Sequence, residues 1–86
     1  MQKVLKEFDQ FEDVAILRTE KFPNVGYVVR NRRVYFQFEN SPELNLTLFN
    51  FRNHALRVDP KEYSEQLKEV IHLSRSIMKG VNPDGK

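Results

Sequence analysis

Along Val25 to Phe38, VGYVVRNRRVYFQF, apolar and polar side chains alternate on both sides of Asn31-Arg32. Val, Tyr and Phe dominate both arms, as suits a pleated, half-buried surface. Asn31 tolerates the φ > 0 backbone that a two-residue hairpin turn demands, while Arg32 is a poorer second turn residue than glycine. The pattern predicts a hairpin in which Arg30 faces Arg33, Val29 faces Val34, Val28 faces Tyr35 and Tyr27 faces Phe36. Alternation then puts Tyr27, Val29, Val34, Phe36 and Phe38 on a core face. Val28, Arg30, Arg33, Tyr35 and Gln37 fall on an outer face.

Elsewhere the periods differ. Val4, Leu5, Phe8 and Phe11 recur at helical spacing and predict a short helix over residues 2–12, with an N-terminal strand as the alternative. Asp13 to Glu20 reads as a strand, apolar on both faces as far as Leu17. Lys21 to Gly26 and Asn40 to Glu43 carry turn residues. Leu44 to Phe51, LNLTLFNF, reads as a further strand, with Leu44, Leu46 and Leu48 inward and Asn45, Thr47, Phe49 and Phe51 outward. Ala55 to Val58 predicts a short fifth strand.

Asp59-Pro60-Lys61-Glu62 is a helix start, combining an N-cap, a proline at the first helical position and a glutamate at the third. Tyr63, Leu67, Val70, Ile71, Ser74, Ile77 and Met78 then form one apolar stripe, with Leu73 at its edge. Gly80 is the expected C′ residue, and residues 79–86 read as a frayed tail. The expectation is one α+β domain over residues 1–86. It comprises a short N-terminal helix, an antiparallel four- to five-stranded meander and a long C-terminal amphipathic helix packed on the sheet.

Composition narrows the function. The chain has 86 residues, ten of them aromatic and none cysteine, so disulfides and thiolate metal sites are excluded. No apolar run reaches the roughly 18 residues of a membrane span. The charged N-terminal stretch holds no signal-peptide core, so the expectation is a soluble cytoplasmic protein without membrane contact. The net charge of +2 is unevenly spread: residues 1–13 carry −2, residues 14–57 carry +4, and residues 58–86 balance. Six of the seven basic groups in the middle segment are arginines, whose planar forks suit phosphate and flat rings.

Catalysis finds little support. The glycines are scattered, His54 and His72 lack a ligand pattern, and Ser64, Ser74 and Ser76 have no local base. Glu62, Glu65 and Glu69 read as a cap and a solvated helix face. No enzyme activity, metal or cofactor is expected. Aromatic rings between arginines on the outer sheet face can instead stack bases and neutralise phosphates. The candidate nucleic-acid-binding residues are Arg30, Arg32, Arg33, Tyr35, Phe49 and Arg52.

Leu56-Arg57-Val58-Asp59-Pro60-Lys61-Glu62-Tyr63, followed by Gln66-Leu67-Lys68-Glu69-Val70-Ile71, resembles the strand-to-helix passage of the PC4-like single-stranded-DNA-binding transcription coactivators. Four strands before one long capped helix is also their order. The similarity covers about the last thirty residues. It implies a homodimer formed through the last helix, with Leu73 and Ile77 as candidate contacts, and single strands bound on the sheet. The double-stranded-RNA-binding domain has a similar element order, but its helix begins with a basic cluster and not Asp-Pro-Lys-Glu. The reading from a different class is a small protein-binding module, such as a chaperone, inhibitor or phage-type accessory factor. It would use the same aromatic face, because Tyr, Phe and Arg also populate interface cores.

Overall fold

The computed structural model describes residues 4–80. In chain order the elements are β1 (Leu5–Phe8), α1 (Phe11–Thr19), β2 (Asn24–Arg30), β3 (Arg33–Glu39), α2 (Pro42–Arg52) and α3 (Pro60–Gly80). The fold is α+β: three helices lie on one face of a three-stranded antiparallel sheet of order β1-β3-β2.

The hairpin forms as its pattern predicts. Arg30 pairs with Arg33, Val29 with Val34, Val28 with Tyr35 and Tyr27 with Phe36. Asn31 and Arg32 both have positive φ, 51° and 63°, the signature of a type I′ turn. A bulge at Val25 lets Asn24 pair with Phe38 while Gly26 pairs with Gln37. Val34, Phe36 and Phe38 are buried towards the helices. Tyr27 shares their side of the sheet but is 52% exposed, because it sits on an edge strand beyond the helical cover.

Four expected elements are corrected. The helix expected over residues 2–12 is absent from its described part before Phe11, where α1 begins. Leu5 to Phe8 is a strand pairing antiparallel with β3, Phe8 beside Phe36, with residues 1–3 outside the description. Asp13 to Glu20 is not a strand but most of helix α1. Its core, Val14-Ala15-Ile16-Leu17, is buried on every side and so shows no period to read.

Leu44 to Phe51 is likewise helical. Leu44, Leu48 and Phe51, spaced by four and three, turn inward, whereas Leu46 is 59% exposed. Ser41 supplies the N-cap, its Oγ accepting from the Leu44 N–H at 3.1 Å, and Pro42 takes the first helical position. Ala55 to Val58 forms no strand, and Leu56 and Val58 simply pack against the core. The sheet therefore has three strands and not four or five.

Both shorter helices end in Schellman motifs built on residues other than glycine. After α1, Lys21 (φ 69°) donates to the Arg18 carbonyl and Phe22 to that of Leu17. After α2, His54 (φ 58°) donates to the Phe51 carbonyl and Ala55 to that of Asn50.

Helix α3 begins where expected. The Asp59 carboxylate accepts from the Lys61 N–H at 3.0 Å, while Glu62 reaches Lys21 instead of closing a capping box. Its apolar stripe lies on α1 and β3, with Val70 wholly buried. Tyr63 meets Phe51 at 5.9 Å between ring centroids. Lys79 and Gly80 belong to the helix and not to a tail, and residues 81–86 of that expectation lie outside the description.

Two substitutions test these termini in denaturant melts. Asp59→Ala should cost about 0.5–2 kcal/mol, the usual worth of an N-cap. His54→Gly should gain about 0.5–1 kcal/mol, because relief of the left-handed strain exceeds the extra chain entropy glycine loses. No loss in the first, or a loss in the second, would contradict the cap geometry.

Candidate functional site

The face of the sheet turned away from the helices carries a connected set of side chains. Strand pairing puts Glu7 of β1, Gln37 of β3 and Gly26 of β2 in one row across it. Val28 and Tyr35 form the next row, and Arg30 and Arg33 the last. Asp9 follows β1 at the same edge.

Arg30 reaches across this face. Its guanidinium lies 4.8 Å from the centroid of the Tyr35 ring and donates to Glu7 Oε1. Gln37 Nε2 donates to the other Glu7 oxygen at 3.1 Å. Arg33 is bonded to Asp9 at 2.6 Å. These bonds from Arg30 and then Gln37 hold the Glu7 carboxyl below its ordinary range, and Asp9 pushes the Arg33 guanidinium further up. Gly26 leaves room for this arrangement, since a Cβ there would come within 3.0 Å of Gln37 Oε1.

The candidate nucleic-acid residues therefore fall into two groups. Arg30, Arg33 and Tyr35 share the outer sheet face, and Arg32 stands in the turn at its end. Phe49 and Arg52 belong to α2, in the helical layer on the opposite side. Phe49 is 62% exposed there, one turn from Leu46, and Arg52 is bonded to Asp13 at 2.9 Å. The expectation of one surface holding all six is corrected, because its premise was that Leu44 to Phe51 is a strand. Leu73 and Ile77, the candidate dimer contacts, are half-buried against the protein's own core.

Sequence reasoning missed Glu7 and Asp9, because a helix over residues 2–12 scatters them. The available signal was their spacing of two on either side of Phe8, which in an extended chain aligns both carboxylates opposite the phenyl ring.

Comparison of the chain with family models, curated proteins and solved structures returned no match in any of the three. Among the described residues, no group of three or more His, Asp or Glu side chains is placed to hold a metal ion. No described helix is long and apolar enough to cross a membrane.

Because Glu7 is held below its usual carboxyl range, its pairing stabilises the fold fully above its unfolded pKa. That contribution is lost as pH falls through the lower, folded value. The stability difference between wild type and Glu7→Gln should therefore be present at neutral pH and close as pH drops below 4.5, the ordinary value. A difference that stays constant down to acid unfolding would show that the carboxylate makes no such bond.

Proposed function

We propose that this chain is a non-catalytic protein-binding module that docks a partner on the outer face of its sheet, with Tyr35 at the centre. One observation carries the reading: Arg30 lies across Tyr35 and is bonded to Glu7. A base stacking on Tyr35 would have to displace that guanidinium, and a phosphate would have to compete with the Glu7 carboxylate for it. With Arg33 held by Asp9, each arginine on these strands is paired with a carboxylate. A charge-paired, pre-ordered plate of Tyr, Arg and Gln suits a protein interface, because fewer side chains remain to be immobilised on binding.

Single-strand binding by a homodimer is the competing reading, and it places phosphates on the same arginines. The two respond differently to substitution. In the protein-binding reading, Tyr35→Ala abolishes capture of the partner, while Arg33→Ala changes it little, since buried aromatics dominate interfaces and rim charges contribute less.

A photo-crosslinking residue at Val28 should yield a discrete protein adduct that Tyr35→Ala removes. Fluorescent single-stranded oligonucleotide should show no salt-dependent binding by the wild type, and should gain it when Glu7→Gln and Asp9→Asn release both arginines. Wild-type binding that weakens steeply with salt, by about one phosphate less for Arg33→Ala, would establish the nucleic-acid reading instead.

A further inference from the structure

The charge of α3 is divided along its length. Glu62 and Glu69, seven residues apart, lie on the flank turned to the body of the protein. There Lys21 bonds Glu62 at 3.1 Å and Arg18 bonds Glu69 at 2.8 Å. Lys61, Lys68 and Arg75, also at seven-residue spacing, lie on the flank turned away. All three are exposed, and their side chains have no partner among the described residues. Seven residues is close to two helical turns, so these cations form a ridge with about 10.5 Å between successive groups. Lys79 and His72 extend it, and Glu65 stands at its far margin.

Between this ridge and the core-facing stripe run Leu67, Ile71, Ser74 and Met78, spaced by four, three and four. That is the spacing of alternating d and a positions in a coiled coil, and it puts Lys68 and Arg75 at the e positions beside the seam. Leu67 and Met78 touch the core from the near edge of the seam. All four residues remain partly exposed, and Ile71 lies about a quarter turn from the buried Val70. Helix α3 thus keeps a second, narrower apolar seam with cations along its open side.

We infer that this seam docks one helix of a partner protein, amphipathic and acidic, with carboxylates at heptad spacing opposite Lys61, Lys68 and Arg75. Charge complementarity selects that occupant. A second copy docked two-fold on the same seam would set the basic ridge against itself, because antiparallel helices oppose e positions to e positions. A phosphate backbone would satisfy the cations but leave the exposed parts of Ile71 and Met78 without an apolar partner. The seam lies in the helical layer, so this inference does not depend on the outer sheet face.

The probe is a fluorescent 21-residue peptide of three heptads, with leucine at a and d and glutamate at e and g. Wild-type protein should bind it, and the double variant Lys68→Glu, Arg75→Glu should bind at least tenfold more weakly, with the difference shrinking as salt rises. Ile71→Ser should weaken binding by a similar factor at every salt concentration. A peptide with lysine in place of glutamate should ignore the wild type and bind the charge-reversed protein. Tyr35→Ala should leave all of this unchanged, which separates failure here from failure at the sheet. Lys68 and Arg75 are exposed, Ile71 and Tyr35 are partly buried, and circular dichroism checks that each variant is folded. The inference is overturned if the acidic peptide does not bind the folded wild type, or if charge reversal leaves its affinity unchanged. It is equally overturned if oligonucleotides bind this ridge with no dependence on Ile71.

Discussion

The pairing of β3 on both of its edges is the constraint from which the other features follow. Its register sends Val34, Phe36 and Phe38 to one side, where Leu44 and Leu48 of α2, Val70 of α3 and Val14 to Leu17 of α1 close over them. A slip of one residue would turn those three into water and drive Tyr35 inward. Two devices hold the register. On one edge the type I′ turn at Asn31-Arg32 fixes β2, and on the other Phe8 of β1 pairs with Phe36 and packs edge-on against Phe38.

The same register creates the charge pattern of the outer face. Bringing β1 beside β3 places Glu7 and Asp9 within reach of Arg30 and Arg33, four groups that lie far apart in the chain. Pairs this open to solvent are screened by water, so their effect on stability is small. Their effect on recognition is larger. They pair Arg30 and Arg33 with carboxylates and hold Arg30 across the Tyr35 ring. Among the described residues, unpartnered cations line α3, where the acids Glu62 and Glu69 are already engaged by Lys21 and Arg18.

The molecule is thin. Its principal extents are 45 × 37 × 18 Å, and its radius of gyration of 13.8 Å exceeds the roughly 12 Å usual for this length. A single layer of helices on a single sheet leaves two broad surfaces open among the described residues. Leu46 and Phe49 stand exposed on α2 and Tyr27 on the free edge of β2. A shape of this kind suits a protein that completes its packing with partners.

The hairpin and α3 were legible in the sequence because each rests on local chemistry. Asn31 admits a left-handed turn, and β-branched and aromatic residues alternate on both sides of it. Asp59-Pro60 starts a helix whose apolar stripe repeats long enough to define a period. The start of α2 was also written locally, in Ser41-Pro42-Glu43, but it resembles a turn until the helix behind it is known. The rest required the tertiary structure. Val14 to Leu17 are surrounded on every side, and such a run has no face to reveal whether it is helix or strand. Both short helices stop at Lys21 and His54, where no glycine marks the end, and neighbouring packing supplies what the residue does not. The face that carries the candidate site owes its paired charges to Glu7 and Asp9, which meet Arg30 and Arg33 only because β1 pairs with β3 across some 25 residues of intervening chain. Contacts of that range depend on the fold as a whole, and no local pattern encodes them.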